Sequence, residues 1–235
     1  MAGGVMAAYV AFLQDIPGIA GHLVTASILS APAALAVSKV MVPEDGTPVT
    51  LNNLDFKVKR PDRNVIEAAA RGATEGVKLV INVGAMLIAF VGLIAMCDWG
   101  LSLLPEIMGE PWSLSRILGW LFAPIAFIMG VPWSEAGIVG TLLGEKIVLT
   151  EFIAYIHLGA LIAAEEPVLS ERSAIIASYA LCGFANFASI GIQLGGIGGI
   201  APNRMGDLAE LGLRAMIAGS LAAFMTATIA GVLLG

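Results

Sequence analysis

Long apolar runs with few charges constrain the fold of this chain more than any other feature. Residues 19–41, 79–96 and 208–234 contain one, no and two Asp, Glu, Lys or Arg residues. Runs of this length cross a hydrocarbon core of about 30 Å as helices. Charged residues make up 13% of the chain, against about 25% in soluble domains. The sequence therefore predicts an all-α integral membrane protein with a single membrane domain over residues 1–235.

The distribution of basic residues predicts the topology. Seven of the 12 Lys and Arg residues lie between Lys39 and Lys78, so residues 43–64 are expected to form a cytoplasmic loop. We interpret this basic cluster as a topology signal and expect no nucleic-acid partner. Following the later spans places Gly235 outside the cytoplasm of a multi-pass protein in the cell (inner) membrane. Residues 114–164 must then begin and end on the outer side, as a re-entrant hairpin or as two crossings.

A charged helix face follows the loop. Glu67, Arg71, Glu75 and Lys78 are spaced by four, four and three residues, which places them on one side of a helix. The spacing predicts an amphipathic helix over residues 65–78 that lies on the membrane surface. Residues 208–234 are the predicted last transmembrane helix.

One carboxylate falls inside an apolar stretch. Glu151 stands in the sequence IVLTEFIAY, and a charge at membrane depth costs at least about 2.5 kcal/mol. Such residues mark substrate or ion pathways in membrane proteins. The structural alternatives are a partner for Lys146 or an interfacial position. Glu145 and Lys146 themselves are expected to end one arm of a hairpin.

Residues 173–201 form an apolar run with many glycines, which weaken helical structure. Asn186 and Ser189 lie within it, three residues apart, and share a face if the helix is continuous there. Transporters build binding sites from broken helices with polar groups near the midplane. Close packing of helices through small residues is the alternative explanation for the glycines.

The sequence shows no recognisable set of catalytic residues. Glu151 could act as an acid or base, but no partner acid, nucleophile or metal cluster occurs at a recognisable spacing. We therefore expect a protein that is not an enzyme and has no cofactor.

Two motifs resemble signatures of the concentrative nucleoside transporter family. That family carries G-x-K-x-x-x-N-E-F-V-A-Y, and residues 144–155 read GEKIVLTEFIAY. The second motif is ALCGFANFASIGI over residues 180–192. Weaker matches occur in residues 26–32, 82–88 and 128–133, so that the resemblance covers essentially the whole chain.

The resemblance implies half of an inverted-repeat transporter with a re-entrant hairpin over residues 134–158 and a broken transmembrane helix over residues 173–201. It further implies a cation-coupled nucleoside symporter in a lipid bilayer, with sodium as the favoured ion, protons as the alternative, and a homotrimeric assembly. By the same resemblance, the candidate substrate-binding residues are Glu151, Asn186 and Ser189 for the ribose hydroxyls, Phe184 against the sugar, and Val5 near the base.

The chain departs from the family pattern in two ways. Thr150 replaces the asparagine of the first motif. The family's earlier helices and first re-entrant hairpin, which carry a Gln-Thr-Glu base-binding motif and most of the sodium site, have no counterpart in this sequence. We therefore expect a fragment that does not transport by itself. The alternatives are the C-terminal subunit of a split transporter or a non-functional truncated copy, with a membrane-embedded enzyme less favoured.

Overall fold

The computed structural model describes residues 1, 3–47, 62–105 and 111–235. Within these ranges the chain forms helices and no strands: α1 (Gly3–Phe12), α2 (Ile19–Met41), α3 (Val65–Leu101), α4 (Leu114–Ile128), α5 (Trp133–Val148), α6 (Glu151–Ile162), α7 (Glu171–Leu181), α8 (Phe187–Ile200) and α9 (Met205–Leu233), with a 3₁₀ turn at Pro202–Arg204. Most of the predicted loop over residues 43–64 lies outside the described residues.

Two of the described helices are long and apolar enough to cross a membrane by length and composition. They are Ile19–Met41 and the stretch Pro202–Leu233, which contains α9. α2 and α9 pack against each other, and α9 also contacts α7 and α8. Many of the large apolar side chains on the helix surfaces are exposed, which suits a chain whose surrounding solvent is lipid.

The charged face that the sequence assigns to residues 65–78 begins a longer helix. α3 runs without interruption through Lys78 to Leu101, so the polar segment and the following apolar run share one helical axis. Asn64 caps the first turn by accepting from the Glu67 N–H at 2.9 Å. Arg71 donates to Asp62 at 2.6 Å and to Glu75 at 3.1 Å, and the hydrogen bond from Arg71 lowers the pKa of Asp62.

Two interruptions of helical structure lie close together in space. α5 and α6 form a helical hairpin separated by Leu149 and Thr150. The apolar run that follows splits into α7 and α8, with residues 182–186 not helical. α7 contacts both arms of the hairpin.

Glycines bring α4 and α5 into close contact. A Cβ built on Gly140 would lie 2.4 Å from the Gly119 carbonyl oxygen, and one on Gly144 would lie 2.5 Å from the Ser115 carbonyl oxygen. These distances are shorter than any non-bonded contact allows, so the glycines permit backbone-to-backbone packing of the kind that small residues allow in membranes. The glycine of the first sequence motif, Gly144, therefore has a packing role.

We expect Gly140→Ala to destabilise the protein by about 1–3 kcal/mol, because the added methyl group must push α4 away from α5. Gly137→Ala in the same helix is the matched control, since a Cβ there meets no atom within 4 Å. Thermal unfolding of the purified protein in detergent measures both variants. Equal stability of the two variants would contradict the close packing.

Candidate functional site

Glu151 lies at the junction of the hairpin and the broken helix. It is the first residue of α6, where the N-terminal end of the helix dipole favours a carboxylate. Its side chain is buried, and Oε2 accepts a hydrogen bond from Asn186 Nδ2 at 3.0 Å. Oε1 accepts a longer one from the Tyr9 hydroxyl at 3.4 Å. The carboxylate is therefore held by donors from α1 and from the start of α8.

Asn186 and Ser189 form the N-terminal cap of α8. Ser189 N donates to Asn186 Oδ1 at 2.7 Å, and Asn186 N donates to Ser189 Oγ at 3.2 Å. This reciprocal pattern is a capping box, which satisfies backbone donors that the helix end would leave unpaired. The three-residue spacing seen in the sequence thus joins a cap residue to the third helical position, because the helix starts anew at Phe187.

The C-terminal end of α7, on the other side of the interruption, is capped by side chains of the hairpin formed by α5 and α6. The last carbonyls of a helix lack partners within it, and here two of them accept from hairpin side chains. Tyr155 OH donates to the Ser178 carbonyl at 2.6 Å, and Lys146 Nζ donates to the Ala180 carbonyl at 2.9 Å. Both side chains are fully buried. Among the described residues, every buried side-chain nitrogen and oxygen has a hydrogen-bond partner.

Two cavities meet at the non-helical segment. One has a volume of about 410 Å³ and is lined by Val5, Tyr9, Glu151 and Phe184, among others. The other, of about 560 Å³, is lined by Phe184 and Ser189 together with residues of α8 and α9. The two share Ser30, Cys182, Gly183 and Phe184 as lining residues. Volumes of this order fall within the range of small-molecule sites.

The structure brings the sequence-predicted residues to one place. Val5, Glu151 and Phe184 line the smaller cavity, Ser189 lines the adjoining one, and Asn186 is buried against the carboxylate. Phe184 and Val5 keep 46% and 40% of their surface exposed, which leaves them open to a ligand. Among the described residues, no group of three or more His, Cys, Asp or Glu side chains could hold a metal ion.

Sequence reasoning missed the role of three residues at the site, and the reasons differ. Tyr9 reaches Glu151 across 142 positions of sequence, and no local pattern signals such a pairing. Tyr155 and Lys146 stand in the first motif, but their acceptors are backbone atoms, which carry no residue-type signal. Lys146 lies near the end of a hairpin arm, as the sequence predicts, since α5 ends two residues later.

We expect Asn186→Asp to destabilise the protein by at least about 1 kcal/mol, although aspartate caps helices as well as asparagine does. The substitution replaces the amide donor with a second carboxylate facing Glu151. Adding Glu151→Gln should restore stability, because the glutamine amide can donate to Asp at position 186. Thermal unfolding in detergent compares the single and double variants. Failure of the second substitution to restore stability would contradict the direct contact.

The chain resembles known transporters in sequence. A family model described as "Na+ dependent nucleoside transporter C-terminus" matches residues 22–231. The chain is 44% identical over 214 residues to the "Uncharacterized transporter YutK" of Bacillus subtilis (strain 168), covering 90% of this chain and 52% of that protein. It is 42% identical over 247 residues to mouse (Mus musculus) "Solute carrier family 28 member 3", covering 99% of this chain and 34% of that protein.

The chain also resembles solved structures of CNTnw. "Structure of CNTnw in an inward-facing substrate-bound state" matches with a TM-score of 0.78 and 42% identity, covering 100% of this chain and 55% of that one. A variant of CNTnw in an intermediate state matches with a TM-score of 0.84 and 43% identity. The chain spans about half the length of YutK and of CNTnw, and about a third of the mouse protein.

These matches confirm the all-α membrane transporter fold. They also exclude the enzyme alternative, because the matching family and the relatives are transporters. The family model alone covers residues 22–231 of the 235. The chain therefore belongs to the Na+-dependent nucleoside transporter family, whose C-terminal region it matches.

Proposed function

We propose that this chain forms the ribose-binding half of the substrate site in a cation-coupled nucleoside symporter. The proposal rests on the buried carboxylate of Glu151, which lines a cavity and accepts a hydrogen bond from Asn186 Nδ2 at 3.0 Å. A relative of the chain, from Helicobacter pylori, is a "Nucleoside permease NupC", with 40% identity over 237 residues. Another, from Sus scrofa, is a "Sodium/nucleoside cotransporter 1".

The free acceptor capacity of Glu151 suits a sugar with two adjacent hydroxyl groups. An ionised carboxylate accepts at both oxygens and has about four lone-pair directions. Asn186 uses one of them, and the 3.4 Å contact from Tyr9 is too long to be a strong bond. Hydroxyl groups donating to a carboxylate form short, charge-assisted hydrogen bonds. A ligand without these hydroxyl groups would leave the buried charge poorly satisfied, which gives selectivity for ribose.

Phe184 and Val5 supply apolar surface to the same cavity. Phe184 belongs to the non-helical segment between α7 and α8, and its ring is available for packing against the sugar. Val5, on α1, lines the same cavity, and its apolar side chain suits contact with the base. In this arrangement polar groups fix the orientation of the ligand and apolar groups exclude water, as is usual in small-molecule sites.

The remaining elements of the proposal follow from the family. Transport would proceed by alternating access, with the hairpin and the broken helix moving as one body. Sodium is the proposed co-transported ion, and the assembly is proposed to be a homotrimer in the cell membrane with Gly235 outside. Broken helices at a binding site in the membrane are tolerated because their free backbone groups face a cavity or protein partners, as the carbonyls of Ser178 and Ala180 do here.

We expect Glu151→Gln to weaken uridine binding by the intact, lipid-reconstituted protein by about 10- to 100-fold, which is the loss of one or two charge-assisted hydrogen bonds. Binding of 2′,3′-dideoxyuridine should change little, because that ligand lacks both ribose hydroxyls. Glu145→Gln is the matched control, since Glu145 pairs with His157 at 2.8 Å and lines a separate groove. Unaltered uridine affinity in Glu151→Gln would overturn the proposal.

We expect Phe184→Ala to weaken the binding of uridine and of 2′,3′-dideoxyuridine by similar factors of about 10, because packing against the ring does not depend on the hydroxyls. Phe187→Ala is the control, because Phe187 starts α8 and lines neither of the two cavities. Isothermal calorimetry of the intact protein gives both affinities. A loss confined to uridine would contradict an apolar role for Phe184.

A further inference from the structure

Lys146 is a buried cation whose position calls for an explanation. Its side chain has 0% of its surface exposed. Burying an ammonium group is costly unless opposite charge and hydrogen bonds compensate for the lost water. Among the described residues, no carboxylate lies within the 4.0 Å of a salt bridge to it. Its compensation must therefore come from groups other than a direct ion pair.

Three groups around the ammonium supply that compensation. Nζ donates to the Ala180 carbonyl at 2.9 Å, at the C-terminal and negative end of the α7 dipole. The ring of Phe224 lies 6.0 Å away, within range of a cation–π contact. The Glu151 carboxylate, on the other arm of the hairpin, offers the opposite charge, and it lines the same cavity as Gly183, which lies beside Nζ. The helix dipole, the aromatic ring and the carboxylate all favour a positive charge at this position, whereas the carbonyl itself would also accept a hydrogen bond from a neutral donor.

The ammonium also lies directly behind the cavity wall. A Cβ built on Gly183 would be 3.9 Å from Lys146 Nζ, and Gly183 lines the cavity that Glu151 enters. Gly183 has a φ of +146°, a conformation that side-chain-bearing residues rarely adopt, so this position favours glycine, which has no side chain to lie between Nζ and the cavity. Lys146 thus places a positive charge next to the cavity but is not one of the residues that line it.

We propose that Lys146 is a positioning residue for nucleoside binding: held at the end of α7 by its hydrogen bond, its charge balances the Glu151 carboxylate and keeps it ready to accept from the sugar. The inference rests on the proposed function, because it assigns Lys146 an effect on the sugar only through Glu151. A lysine that merely filled space would affect every ligand alike. A lysine that acts through Glu151 affects the ligands that Glu151 recognises.

The test is a double-mutant cycle on ligand affinity. Lys146→Met and Glu151→Gln are prepared singly and together in the intact, lipid-reconstituted protein, and Kd is measured for uridine and 2′,3′-dideoxyuridine. We expect Lys146→Met to weaken uridine binding by about tenfold and to leave the dideoxy ligand nearly unchanged. In the Glu151→Gln background the same substitution should cause no further loss, since coupled residues are not additive.

A second variant covers the case in which methionine disturbs the fold. Lys146→Gln keeps an amide that can donate to the Ala180 carbonyl but removes the charge, and it should show the same selective loss of uridine affinity. Binding of the dideoxy ligand reports that the site is folded. Equal losses for both ligands, additive losses in the double variant, or uridine affinity unchanged by Lys146→Gln would overturn the inference. If Glu151→Gln alone has no effect, the proposed function fails instead.

Discussion

The hydrogen bond between Asn186 Nδ2 and Glu151 Oε2 joins the two interrupted elements on which the site depends. A carboxylate buried at membrane depth needs donors that remain in place, because water cannot replace them. Asn186 is such a donor because its other amide atom, Oδ1, is fixed by the Ser189 N–H in the cap of α8. The same residue therefore starts a helix and holds the charge.

The interruption between α7 and α8 is stable because the backbone groups at the two helix ends have hydrogen-bond partners. The capping box serves the donors at the start of α8. Tyr155 and Lys146 serve carbonyls at the end of α7. A break in a membrane helix is otherwise costly, because each unpaired backbone group raises the free energy of the folded state by several kcal/mol. The polar side chains of the hairpin therefore offset the cost of the break in the helix. We propose that the hairpin and the broken helix move together for this reason.

Part of this arrangement could be predicted from the sequence. An acidic residue in an apolar stretch and a glycine-rich run with Asn186 and Ser189 both violate the pattern of lipid-facing helices, so Glu151 and these two residues were identifiable. The contact from Tyr9 was not, because it depends on how α1 packs against α6. The continuity of α3 was missed for a different reason: the change from a polar to an apolar surface at Lys78 alters the environment of a helix without ending it.

The proposed function requires the Glu151 carboxylate to accept hydrogen bonds from the sugar. A structure of the intact protein with uridine bound tests it most directly. We expect a ribose O2′ or O3′ atom about 2.7 Å from a Glu151 oxygen, with Asn186 still in contact with the carboxylate. A uridine whose sugar lies away from Glu151, or whose base occupies that place, would contradict it.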